Sequence, residues 1–193
     1  QYRDAKLRLF KDLLEDGGAA VINVDDPEHM PFMMSALDRG STLLTVGEEG
    51  AFIEVSEVTR DGWGQRVKGK LVGEPLEFLL PLAGAFQVSN AVIAAALVLS
   101  TGMDKDIVIP ALEKLQGARG RLERVATRNG AAIFVDYAHT PDALETALKS
   151  LRPFASGKLK VVFGAGGDRD RGKRPLMGEV ASKHADDVIV TDD

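Results

Sequence analysis

Two stretches, Ala131-Ala132-Ile133-Phe134-Val135-Asp136-Tyr137-Ala138-His139-Thr140-Pro141-Asp142 and Leu159-Lys160-Val161-Val162-Phe163-Gly164-Ala165-Gly166-Gly167-Asp168-Arg169-Asp170-Arg171-Gly172-Lys173-Arg174-Pro175, share one plan. Each begins as a short, β-rich apolar run without alternation, the pattern of a parallel strand covered on both faces. Each then passes through a polar turn into a helix opened by a Thr-Pro or Arg-Pro step, where proline's fixed φ suits the first turn. Ligands of parallel sheets sit at the carboxyl ends of the strands. That is where Asp136, His139, Asp168, Arg169, Asp170, Arg171, Lys173 and Arg174 fall. Charge beside buried strands is costly without a partner, so these two turns are the candidate site.

Working outward, the order after residue 130 is βαβαβ, which implies a parallel sheet with right-handed crossovers. The flexible, basic Gly117-Ala118-Arg119-Gly120-Arg121 precedes it as the candidate domain boundary, followed by a strand over 122–126. Before the boundary, Leu7, Phe10, Leu13 and Leu14 recur at helical spacing and Gly17-Gly18 ends that helix. A buried strand over 19–24 ends in Asn23, Asp25 and Asp26, then come a helix over 32–37 and a strand over 42–46. Short strands over 52–58, 65–72 and 76–80, separated by Asp61-Gly62 and Gly73-Glu74-Pro75, form a meander. Residues 84–90 read as a loop, with Ser89 or Asn90 capping an apolar helix to Leu99, and a further helix runs over 104–115.

Composition narrows the function. Of 193 residues 45% are hydrophobic, the share of an ordinary soluble globule, and a net charge of -5 argues against nucleic acid or an anionic membrane as main partner. Without cysteine there are no disulfides, thiol nucleophiles or thiolate metal sites, which suits a reducing, cytoplasmic setting. His29, His139 and His184 stand too far apart in sequence for zinc-ligand spacing. No stretch reads as a signal peptide, and the longest strongly apolar run, 91–99, is too short to span a bilayer. The uncapped start and the stop just after a strand-like Val188-Ile189-Val190 read as a fragment of a longer polypeptide.

The glycine-rich turn at 167–174 has the spacing of a phosphate-binding P-loop up to Lys173, yet Arg174 stands where Ser or Thr would hold Mg²⁺ and two Asp residues would sit inside the anion cradle. It reads better as a turn whose arginines present forks to carboxylates or phosphates, or as a solvated loop of paired Asp and Arg. Asp136 can accept ribose hydroxyl hydrogen bonds, or serve the turn. Thr140, Pro141 and Asp142 are explained by helix capping, which leaves His139 unexplained. By residue type alone, Asn90 is a cap, Arg121 a surface charge and Lys6 a solvent lysine.

The two long motifs resemble the Mur ligase family, and within it the MurE branch. Tyr2-x-x-Ala-Lys6, Ile22-Asn23-x-Asp25-Asp26, Phe86-x-Val88-Ser89-Asn90 and Gly120-Arg121-x-Glu123 fall in the family's order, although these short motifs also occur in folylpolyglutamate synthetase. The resemblance implies an α/β chain: residues 1–117 as the later part of a central ATP-binding domain with a mostly parallel sheet plus a small antiparallel one, and 118–193 as the first part of a Rossmann-like C-terminal domain. It implies ATP and Mg²⁺, and a ligase that joins meso-diaminopimelate or L-lysine to UDP-MurNAc-dipeptide through an acyl phosphate, with the fragment inactive alone and the protein monomeric. Carried over residue by residue, Lys6 resembles a lysine carboxylated by CO₂ to hold Mg²⁺, Asn90 the adenine contact, Arg121 a nucleotide contact and Asp136 the ribose acid. His139 lies near the nucleotide, Arg169 grips the incoming amino acid, and Asp193 opens the motif that selects diaminopimelate. Two rivals stand beside this reading: another ligase of the superfamily, and a nucleotide-binding module without catalysis.

Overall fold

The computed structural model describes residues 2–166 and 172–192. The chain forms two compact units, one of residues 1–81 and 86–115, the other of 82–85 and 116–193.

In the first unit, helix α1 (Tyr2–Arg8) runs into a π-type turn over Leu9–Leu13 closed by the Leu14 N–H on the Leu9 carbonyl at 2.8 Å. The widened turn interrupts the helix whose spacing runs to Leu14. It is held to α2 (His29–Asp38) by an edge-to-face pair, Phe10 on Phe32, with ring centroids 5.6 Å apart. A five-stranded sheet follows the order β1 (Ala19–Asn23), β2 (Thr42–Gly47), β3 (Ile53–Asp61), β4 (Gly64–Leu71), β5 (Glu74–Leu80). The β1/β2 and β2/β3 pairings are parallel, β3/β4 and β4/β5 antiparallel. The meander is therefore present, and it extends the parallel ribbon instead of standing apart. Gly69 lets β4 pass the bulged backbone at Val55/Glu57: a Cβ there would overlap the Glu54 carbonyl. Val46, Ile53, Phe78 and Leu80 are sealed in the core.

Helix α3 (Ala85–Leu99) begins five residues earlier than the apolar pattern predicts. Asn90 is thus inside the helix and exposed, not its cap; the capping reading of Ser89 and Asn90 is wrong. The turn at Gly84, with φ +101°, starts the helix instead. Helix α4 (Lys105–Leu112) is capped by Asp104, whose carboxylate accepts from the Asp106 N–H at 2.8 Å, and Glu113 after it accepts from the Leu79 N–H on β5.

The second unit has the βαβαβ order, β7 (Ala131–Val135), α5 (Pro141–Leu151), β8 (Lys160–Phe163), α6 (Lys173–His184), β9 (Asp187–Val190), preceded by β6 (Glu123–Arg128). Strands β8 and β9 pair in parallel, while among the described residues β7 pairs with β6, antiparallel, and not with β8. Within this chain the strands are covered on one face and not on both. Helices α5 and α6 pack together on one face over Leu144, Leu148, Met177 and Ala181, against which Val161 and Phe163 lie; Val162, on the opposite face, is 62% exposed. Continuous apolar sequence records what a strand tolerates, and burial depends on a second layer that these elements do not supply.

Candidate functional site

Asp136, at the end of β7, accepts the Leu122 N–H on Oδ2 at 2.7 Å. Tyr137 next to it donates its N–H to the Gly120 carbonyl at 2.7 Å, and the Gly120 N–H in turn bonds Glu123 Oε2 at 2.8 Å. Two bonds thus join the 120–123 loop to the 136–139 loop, and the third braces the 120–123 loop itself. The joint holds Leu122 at φ +48°, a left-handed conformation that costs a non-glycine residue about 1–2 kcal/mol. Such strain persists where surrounding bonds over-determine it, and it clusters at ligand sites. With Oδ2 engaged by a backbone donor, the carboxylate is oriented while it keeps further acceptor capacity on both oxygens. That suits a ribose hydroxyl.

Arg121 lies with its guanidinium carbon 5.5 Å from the centroid of the Tyr137 ring, and that ring stands 5.0 Å from the His139 imidazole at a 55° tilt. His139 Nδ1 is 3.0 Å from the Tyr137 carbonyl. Lys173, at the start of α6, donates to the His139 carbonyl at 3.2 Å, so the second polar turn reaches the first. Thr140 caps α5 through the Ala143 N–H, with Pro141 next, as its sequence implies. The structure brings together Arg121, Asp136 and His139; Asn90 and Lys6 belong to the other unit, and Arg169 and Asp193 lie outside the described residues. Asp136, His139 and Arg174 are exposed at their strand tips, so the desolvation cost first argued is smaller for these three.

At the carboxyl ends of β8 and β9 a shallow cleft of about 470 Å³ is lined by Phe163, Gly166, Arg174, Gly178, Thr191 and Asp192. Arg174 was already among the charged groups placed at the strand tips, whereas Asp192 and the aromatic Tyr137 were not singled out; the signal available for each was only its place beside a strand tip.

Lys6 is exposed on α1, its ammonium 4.6 Å from the Tyr2 ring centroid. Among the described residues no group of three or more His, Asp or Glu side chains could hold a metal. The described donors do not by themselves fit a Mg²⁺ ion. The acidic cluster after β1 is occupied with turns: Asp25 Oδ1 accepts the Glu48 N–H at 2.8 Å and Asp26 Oδ1 the Glu28 N–H at 2.8 Å. Gly47, at φ +130°, is the residue that admits Asp25, since a Cβ there would lie 2.5 Å from Oδ1.

Residues 1–98 match the Mur ligase middle domain and residues 120–193 the glutamate ligase domain of Mur ligases. The chain belongs to the Mur ligase family. A UDP-N-acetylmuramoyl-L-alanyl-D-glutamate--2,6-diaminopimelate ligase of Bradyrhizobium diazoefficiens is 53% identical over 196 residues, and one of Caulobacter vibrioides 50% over 193. Each alignment takes in 100% of this chain and 40% of the relative, so the chain spans two fifths of the length of these Mur ligases. A solved structure with the same ligase name aligns at TM-score 0.72 with 35% identity, over 100% of this chain and 40% of that one. MurF from Acinetobacter baumannii aligns at TM-score 0.81 with 22% identity, over 98% of this chain and 42% of that one, a likeness of fold alone. The α/β architecture is that of Mur ligase middle and C-terminal domains. Among the described residues no helix is long and apolar enough to cross a membrane.

Proposed function

We propose that this chain is part of an ATP-dependent amide ligase of peptidoglycan synthesis, which adds meso-diaminopimelate to UDP-MurNAc-L-Ala-D-Glu. The observation that carries the reading is identity of about half, 53% and 50%, along the whole chain to relatives named for that reaction. In this reading residues 1–117 are the later part of the central ATP-binding domain and 118–193 the first part of the C-terminal domain. The protein works as a cytoplasmic monomer.

ATP transfers its γ-phosphoryl group to the D-glutamate carboxylate, giving ADP and an acyl phosphate. The amine of the incoming amino acid attacks the acyl carbon, an amide bond forms, and inorganic phosphate leaves. Such chemistry is chiefly positioning plus stabilisation of phosphoryl charge. Asp136 takes the ribose, Arg121 a phosphate, and His139 supports them; Asn90 reads the adenine. Arg169 and Asp193 hold the incoming amino acid. Lys6, if carboxylated, would supply a carbamate oxygen toward a Mg²⁺ ion whose remaining ligands the described residues do not provide, since a protonated amine cannot bind a cation and a carbamate oxygen can.

The test is acceptor use by the full-length protein. Product and ADP should form with meso-diaminopimelate and not with L-lysine, and Arg169→Ala should raise the KM for the amino acid while that for ATP holds. An unchanged amino-acid KM with ATP handling lost would overturn the role of Arg169, and preferred use of lysine would overturn the choice of acceptor.

A further inference from the structure

Lys173 is the first residue of α6 and is half-buried, and two local preferences oppose a lysine there. The helix dipole disfavours a cation at a helix N-terminus, and partial burial strips water from an ammonium. Core packing has no use for the charge, since α6 meets α5 through Met177 and Ala181. A broken local preference without a structural gain is expected where function asks for it. What the side chain does is donate to the His139 carbonyl at 3.2 Å, 34 residues back along the chain. That carbonyl lies between Tyr137, whose N–H is bound to Gly120, and the Thr140 cap of α5. Strands β7 and β8, whose ends carry the two polar turns, are not paired among the described residues, so no ladder of backbone bonds sets the spacing of those turns. The apolar contact of α5 with α6 is non-directional and tolerates small slides. At the strand tips the Lys173 bond is directional and charge-assisted.

We propose that Lys173 is a positioning residue for the ligase reaction, whose bond to the His139 carbonyl fixes the start of α6, and the amino acid held just before it, against the nucleotide loop. This rests on the roles given above to Asp136 and to Arg169, which precedes Lys173 by four residues in sequence. Lys173 touches neither ligand. It sets the distance between two sites that each fill without it, and a misplacement of about 1 Å between reacting groups can cost about 10²-fold in rate.

The experiment is steady-state kinetics of the full-length protein with ATP, UDP-MurNAc-L-Ala-D-Glu and meso-diaminopimelate, beside equilibrium ATP binding and melting temperature. The parent is compared with Lys173→Met, Lys173→Arg, Asp136→Ala and Arg169→Ala. Lys173→Met keeps an apolar stem and loses the donor, so kcat should fall about tenfold while the Kd of ATP, the KM of the amino acid and the melting temperature hold. Lys173→Arg keeps a donor of sufficient reach and should recover most of the rate; a loss as deep as that of Lys173→Met would overturn the proposal. Weakened ATP binding by Lys173→Met would overturn it in favour of a direct phosphate contact, and a raised amino-acid KM in favour of a contact with the acceptor. A lowered melting temperature with all parameters impaired would reduce Lys173 to a structural residue. An unchanged kcat in Lys173→Met, beside impaired Asp136→Ala and Arg169→Ala, would overturn the proposal alone. Ordinary ATP binding by Asp136→Ala with an ordinary amino-acid KM in Arg169→Ala would remove the roles on which it rests.

Discussion

The sheet of the first unit and the strands of the second are built from similar apolar residues and end in different states. Val46, Ile53 and Leu80 show no surface, while Val162 is 62% and Val190 68% exposed. In the first unit the antiparallel meander adds strands to the parallel ribbon and α3 lends Val88, Ala91 and Val92 to the core. Within this chain the second has helices on one face, and the loops around Asp136 are ordered by three hydrogen bonds and a ring contact together with the burial of Leu122, 5% exposed. Both units have a buried core, and at the strand tips of the second the loops around Asp136 add directional bonds to that packing. A mutation should therefore act through stability in the first and through local geometry in the second.

The largest effect tests the packing side. Phe78→Ala, at a side chain 2% exposed, should cost about 3–5 kcal/mol, whereas Val162→Ala should stay within about 0.5 kcal/mol. Urea titration followed by far-ultraviolet circular dichroism, which reads both units, together with fluorescence of Trp63, the one tryptophan, for the first, measures the two losses, and equal losses for the two variants would erase the contrast. Next in size, Asp136→Ala removes the acceptor that holds Leu122 in its left-handed conformation. Charged hydrogen bonds contribute about 1.5–3 kcal/mol, so ATP affinity should fall at least about tenfold, with Asp136→Asn intermediate. Thr140→Ala follows, with a loss of about 1 kcal/mol from the α5 cap, measured as faster amide exchange in its first turn.

The smallest effect is set by pH. The Leu159 N–H, with Arg152, holds the Asp186 carboxyl below its ordinary 3.8; Lys160 and Lys158 do the same for Asp187, and Lys149 keeps Glu145 below 4.5. A depressed folded pKa contributes stability that is present above the unfolded value and lost as pH falls through the folded one. Acid should therefore loosen the α5, β8 and β9 region from about pH 4.5 downward, by little, because these pairs are exposed. Amide exchange in β8 against pH measures it, and Asp186→Asn should flatten the profile.

Much of this was legible along the chain. Thr140-Pro141 announced α5, the Gly-bearing turns announced the meander, and Asp136 and His139 were marked by their place after an apolar run. The π-type turn at Leu9–Leu13 was not, because leucine spacing is nearly the same with one residue more per turn. The helix start at Ala85 was missed since Ser89 and Asn90 look like caps wherever they stand.

Residue order by itself determined most of the strands and helices, the Thr140 cap and the meander's turns, and which charged groups follow strand tips, because those choices rest on backbone sterics and hydrogen bonds a few residues apart. Tertiary structure alone decided that among the described residues β7 pairs with β6, that helices cover one face of β8 and β9, and that Arg121 meets Tyr137 across 15 intervening residues. Those outcomes depend on which surfaces come to cover one another, and a residue's type states its tolerance for burial without naming its neighbour.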